Sequence, residues 1–147
     1  MAVAPIPEGY HTVTPYLMVK GVAGVLSFLE RAFDAKVTHC MKKPDGTVGH
    51  ADVVVGNSHI MMGEACGDWA PMPSAVYLYV PDVDASYRRA IEAGATAIME
   101  PANQFYGDRH GGVKDAAGNL WWIATHIEDV SPEELSRRAA EAHQKKS

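Results

Sequence analysis

The sequence predicts an α+β fold built from two tandem βαβββ modules. Three observations lead there: an internal repeat, a change from period-two to period-three-and-four hydrophobicity early in each copy, and glycine turns at matching places. Residues 15–37, PYLMVKGVAGVLSFLERAFDAKV, have a counterpart in residues 75–98, AVYLYVPDVDASYRRAIEAGATAI, so that Val19 falls on Val80 and Val22 on Val83 at an offset of 61. Farther on, GNSHIMM at 56–62 falls on GNLWWI at 118–123 with one residue gained or lost.

In the first copy, residues alternate along Thr14 to Val19, which predicts a strand. Val22, Val25, Leu26, Leu29, Ala32 and Phe33 then recur at three- and four-residue steps, which predicts a helix with one apolar face. Three strands follow near 37–42, 48–55 and 58–63, separated by PDG and GN turns. The second copy repeats the order. Ala75 to Val80 alternate, Val83, Tyr87, Ala90, Ile91 and Gly94 keep helical spacing behind a capping Asp82 or Asp84, and DAAGNLWW marks the last hairpin. EPANQFYGDRHGG between them is irregular; Gly107, Gly111 and Gly112 there permit a bend, and Arg109 is placed to pair with Asp108, Asp115 or a ligand anion. The modules thus span about 11–63 and 75–127, with a linker at about 64–74 stiffened by Pro71 and Pro73. A C-terminal helix at about 131–144 starts with Ser131, Pro132 and Glu134 at capping-box spacing.

At 147 residues and 47% hydrophobic content, the modules are expected to form a single domain over residues 1–147. A net charge of −5 argues against nucleic acid or an anionic membrane surface as partner, since either calls for a basic face. The opening MAVAPIPEGYH has neither a basic nor an apolar targeting region, and no window approaches the roughly 18 apolar residues of a membrane span, so the expected location is cytoplasmic. Cys40 and Cys66 sit in no CxxC pattern and are read as reduced, without catalytic duty. The seven histidines form no HxxH, HxxxH or HExxH motif. His50 and Asp52 share a strand face opposite Ala51 and Val53, and His110 and Asp108 share parity in the second copy. A histidine near a carboxylate can serve as general acid or base, which makes these four the catalytic candidates.

The duplicated unit, with VPDVDASYRRAIEAGA opening its second copy and DAAGNLWW at its last hairpin, resembles the glyoxalase/bleomycin-resistance/extradiol-dioxygenase (vicinal oxygen chelate) superfamily over residues 11–135. TPYLMVKG, YGDRHGGVKDAAGNLWWIATH and EDVSPEEL are similar to its PhnB-like subgroup. The resemblance implies mixed sheets that curl around a cavity, with helices outside, and pairing of chains into a homodimer. Leu17, Val19, Val76, Leu78 and Val80 then face the helices, while Thr14, Tyr16, Met18, Ala75, Tyr77 and Tyr79 face the cavity. The superfamily's metal ligands lie on the first and last strand of each module, and the repeat alignment puts Thr14, Met61, Ala75 and Trp122 there. These offer no carboxylate or imidazole, so neither metal nor other cofactor is expected. Trp121 takes the core face of its strand, and Trp122 takes the cavity face.

The reading that results is a metal-independent protein enclosing an aromatic or amphiphilic small molecule among Thr14, Tyr16, Met61, Tyr77, Tyr79 and Trp122. The alternative is a glyoxalase-like lyase or isomerase, or a dioxygenase-related enzyme, using the acid/base candidates or a non-standard metal site. Trp69 in the linker either packs across the junction or acts as a lid.

Overall fold

The computed structural model describes residues 2–146 and contains eight strands and three helices in the expected order. Module one comprises β1 (Tyr16–Val19), α1 (Val22–Phe33), β2 (Lys36–Lys42), β3 (Val48–Val55) and β4 (Ser58–Glu64). Module two comprises β5 (Ala75–Tyr79), α2 (Val83–Glu92), β6 (Thr96–Asn103), β7 (Asp108–Lys114) and β8 (Leu120–His126), and α3 (Pro132–Lys146) ends the chain. Each module forms its own four-stranded sheet, ordered β1-β4-β3-β2 and β5-β8-β7-β6, whose first pair is parallel and whose other pairs are antiparallel. The sheets do not close on each other.

Two boundaries differ from the periodicity. The first strand begins at Tyr16 rather than Thr14, because Pro15 has no N–H to donate, although its carbonyl still accepts from Met61. The irregular stretch holds the start of β7, a turn at residues 104–107 and, before it, the end of β6. The register of β6 slips between Ala97 and Met99 and again between Met99 and Ala102, which accommodates Pro101 in an edge strand.

The core lies between the sheets and the helices. Leu17, Val19, Ala51, Val53, Ile60 and Met62 meet α1 from one sheet; Val113, Trp121 and Ile123 contribute from the other. Trp121 is fully buried, tilted against Phe28 and Phe33 of α1, so a module-two side chain fills the hydrophobic face of the module-one helix. The helices also clasp each other: Arg89 binds the Asp34 carboxylate and the Arg31 carbonyl, and Arg31 reaches the Glu92 carbonyl.

The two modules cap their helices alike. Glu64, at the end of β4, accepts from the N–H groups of Gly21 (2.7 Å) and Val22 (2.9 Å), satisfying donors that a helix start leaves free. Thr125, three residues after Trp122 as Glu64 is three after Met61, accepts from Val83 N at 2.9 Å. Asp82 caps α2 through Ala85 N, and Ser131 caps α3 through Glu134 N. The Glu134 carboxylate does not complete a capping box; it binds Arg137 and Arg138 instead.

Candidate functional site

The faces turned away from the core carry the candidate residues in rows set by strand register. Across module one, Tyr16, Met61, Asp52 and His39 form one row, and Met18, Gly63, His50 and Met41 the next. Across module two, the matching rows are Tyr77, Trp122, Gly112 and Met99, then Tyr79, Ala124, His110 and Ala102. Tyr16 therefore corresponds to Tyr77, Met61 to Trp122 and His50 to His110. Asp52 and Asp108 do not correspond; Gly112 stands in the place of Asp52.

Glycine lets an aromatic ring lie down in each row set. A Cβ at Gly112 would come within 2.3 Å of the Trp122 ring, and one at Gly63 within 2.6 Å of the Tyr16 hydroxyl. Both rings are thus laid on bare backbone and presented flat, Trp122 half-buried and Tyr16 half exposed. Thr14 lies half-buried just before β1, while Ala75 and Tyr79 are exposed and Tyr77 partly so.

The carboxylates choose other histidines than the ones beside them in sequence. Residues two apart on a strand point the same way without touching, whereas cross-strand neighbours approach closely. Asp52 is bound by His59 Nδ1 at 2.8 Å and by the Tyr10 hydroxyl, with the Tyr10 and His59 rings stacked at 3.8 Å. Asp108 accepts from the hydroxyls of Tyr77 (2.7 Å) and Tyr79 (2.9 Å) and lies 2.9 Å from Nδ1 of its register partner His126, whose Nε2 lies 2.7 Å from Asp129. His50 lies 3.2 Å from the Tyr16 hydroxyl and His110 2.9 Å from that of Tyr106. His110 Nε2 is buried without a partner among the described residues, its ring set edgewise to Trp122 at 5.0 Å. Arg109 pairs with Asp84, not with Asp108 or Asp115.

Sequence reasoning passed over Tyr10, His59, Tyr106 and His126. The parity that selected Met61 and Trp122 also puts His59 and His126 on the same faces, so a signal was present for those two. Tyr10 lies outside every periodic segment and carried none.

Burial would raise the Asp52 and Asp108 carboxyls, but the hydrogen bonds they accept outweigh it and hold both below the ordinary carboxylate value. Tyr77 is pushed up, first by burial and then by Asp108, and Tyr79 is pushed up by its hydrogen bond to Asp108. Burial lowers His110 and favours its neutral form. His126 is raised by its hydrogen bonds to Asp108 and then to Asp129. A carboxylate with a lowered pKa contributes stability above its unfolded value and loses it as pH falls through the folded one. A histidine with a raised pKa contributes below its unfolded value and loses that as pH rises through the folded one. The Asp108–His126–Asp129 link is therefore strongest in mildly acidic solution. His110, lowered by burial, acts in the opposite sense over the same range, so the link is read as a difference: between about pH 5.5 and about pH 8.5 the stability advantage of the native protein over His126→Gln is expected to shrink. Identical pH slopes for the two proteins would remove the link from the account.

Among the described residues, no group of three or more His, Cys, Asp or Glu side chains is arranged to hold a metal ion. Thr14, Met61, Ala75 and Trp122 likewise do not fit the superfamily's metal, since none offers a charged oxygen or an imidazole nitrogen. What the faces offer instead is flat aromatic area with a few fixed polar groups. A groove of about 850 Å³ lies on module one between Tyr16, Met18 and Gly63 of the sheet and Trp69, Pro71 and Met72 of the linker. A second, of about 510 Å³, opens between the modules beside His59, Tyr77 and Tyr79. No helix among the described residues is long and apolar enough to cross a membrane.

Residues 10–123 match the family model of the Glyoxalase/Bleomycin resistance protein/Dioxygenase superfamily. An uncharacterized protein of Mycobacterium bovis is 31% identical over 134 residues, covering 84% of this chain and 88% of its own. The crystal structure of TioX from Micromonospora sp. ML1 superimposes with a TM-score of 0.68 at 23% identity, covering 80% of this chain and 99% of TioX. A PhnB protein from Bacillus cereus does so with a TM-score of 0.59 at 17% identity, covering 78% and 99%. With a family model spanning most of the chain and two βαβββ modules beneath it, this protein belongs to the glyoxalase/bleomycin resistance protein/dioxygenase superfamily.

Proposed function

We propose that this member of the superfamily is a metal-independent small-molecule-binding protein that encloses an aromatic or amphiphilic ligand. What supports the reading is that Thr14, Met61, Ala75 and Trp122, which the resemblance puts at the metal positions, carry no ligating carboxylate or imidazole, and that Trp122 is laid flat on Gly112 as a stacking wall. Tyr16, Tyr77 and Tyr79 supply further aromatic area, and Asp52, Asp108, His50 and His110 supply polar anchors. The protein is a cytoplasmic homodimer of one-domain chains in this reading. The open edge at β5 and the exposed face of Tyr79 support the pairing, since a second copy would cover both.

Quinoline at about pH 8, where it is neutral, tests the reading as a planar probe. Stacking adds roughly 0.5 to 1.5 kcal/mol beyond area burial, so Trp122→Leu is expected to weaken quinoline by about threefold to tenfold. An unchanged affinity would contradict the aromatic wall.

The second reading, a metal-free lyase or isomerase, is favoured by one observation: His59 and His126 are each held by a buried carboxylate, as an acid/base group requires. A bell-shaped pH profile of turnover abolished by His59→Gln or His126→Gln would establish it.

A further inference from the structure

The linker is built into the wall of the groove of about 850 Å³, whose lining does not include Thr14, Met61, Ala75 or Trp122. Met72 N donates to the Met18 carbonyl on the free edge of β1, and Ala65 N donates to the Val19 carbonyl on the other side, continuing the β1–β4 ladder, so both ends of the segment are tied to the sheet. Between them, Cys66 and Trp69 exchange paired backbone hydrogen bonds of 2.9 Å, closing a tight turn with Gly67 and Asp68 at its tip and Trp69 at its base. Trp69 is 70% exposed and Met72 66% exposed, although both lie on a segment whose backbone is anchored and stiffened by Pro71 and Pro73. A rigidly presented indole facing an apolar groove is preorganised to meet a flat molecule.

The charge inside the groove has one sign. Its lining holds two ionisable carboxylates, Glu64 and Asp68, and no cationic side chain. Glu64 has both oxygens engaged by the Gly21 and Val22 N–H groups. Asp68 has no hydrogen bond or ion pair among the described residues and stands next to Trp69 in the turn. Lys43 packs over Gly49 at the groove without lining it. A planar body would therefore find Tyr16, Met18 and Trp69 as walls, and a positive charge would find the Asp68 carboxylate and the indole face.

We propose that the groove between β1 and the 65–73 linker is a binding site for a planar organic cation, clamped by Tyr16 and Trp69 and charge-matched by Asp68. This site rests on the small-molecule-binding reading but uses different residues from the Trp122 wall. The neutral and cationic probes are quinoline and 1-methylquinolinium, titrated into the intact protein at about pH 8 with tryptophan fluorescence and calorimetry as readouts. The cation is expected to bind about tenfold tighter than quinoline in this groove, in line with indole–cation attraction reinforced by a carboxylate. Trp69→Leu is expected to weaken the cation by about threefold to tenfold, and Asp68→Asn to erase the preference for the cation while leaving quinoline unchanged. Both side chains are exposed, so neither variant threatens folding.

Cation binding that ignores both Trp69→Leu and Asp68→Asn overturns the proposal. If that binding responds to Trp122→Leu alone, the small-molecule reading stands and only the linker site fails. Loss of all probe binding together with a buried Trp69 emission that appears on self-association also overturns it, because the groove would then be filled by a second copy of the chain.

Discussion

Truncating Trp121 to alanine is expected to destabilise the protein by about 3 to 5 kcal/mol, the range for a large aromatic side chain removed from a packed core. The side chain has no exposed surface and sits between Phe28 and Phe33 on the helix of the other module. Its loss leaves a cavity where the two repeats meet, and it strands the carboxylate that its indole N–H engages at 2.8 Å, Asp115 Oδ2. Chemical denaturation should show the loss as a lower midpoint; a change under about 1 kcal/mol would mean that the junction collapses onto the gap. The neighbouring Trp122 provides the contrast. Its replacement by leucine is expected to alter binding while leaving most of the stability in place, because it lies on the outer face of the same strand.

Asp115→Ala is expected to cost a comparable amount, about 3 to 5 kcal/mol, through unsatisfied partners rather than a void. The buried carboxylate accepts from Ala117 N, Asn119 N, Asn119 Nδ2 and Trp121 Nε1, so one side chain organises the whole β7–β8 turn. Asn119 is itself fully buried and passes the order on by accepting from Ser74 N, the residue before β5. Because Asp115 and Trp121 share a hydrogen bond, their substitutions should not add. A double-mutant cycle is expected to show coupling of about 0.5 to 3 kcal/mol, and strict additivity would indicate that the indole N–H is satisfied another way.

Much of the fold was legible because it rests on local periodicity. Val22, Val25, Leu26 and Leu29 repeat at helical steps, and they bury the face that those steps define. The alternation that separated Trp121 from Trp122 separates a core residue from a surface one. Register was readable for the same physical reason, since a slip of one residue would have turned Leu17 and Val19 outward. What escaped was set by contacts far apart in sequence. Glu64 caps a helix that begins some forty residues earlier, and Tyr10 reaches Asp52 from a segment with no regular pattern. Pairing His50 with Asp52 failed because side chains two apart on a strand are parallel neighbours, whereas His59 arrives from the adjacent strand. The linker's part in the module-one groove was equally hidden: Pro71 and Pro73 announce a stiff segment, but only the bond from Met72 back to Met18 brings the linker, with Trp69, beside the sheet.

The central claim is that this protein holds an organic molecule without a metal, and native mass spectrometry of the protein taken from its own cells tests it most directly. Gentle ionisation preserves subunits, ions and retained ligand in one spectrum. The expected result is a dimer whose excess mass is that of an organic compound, unchanged after treatment with a chelator. A spectrum showing about one transition-metal ion per chain, released by chelator together with the bound compound, would contradict the account.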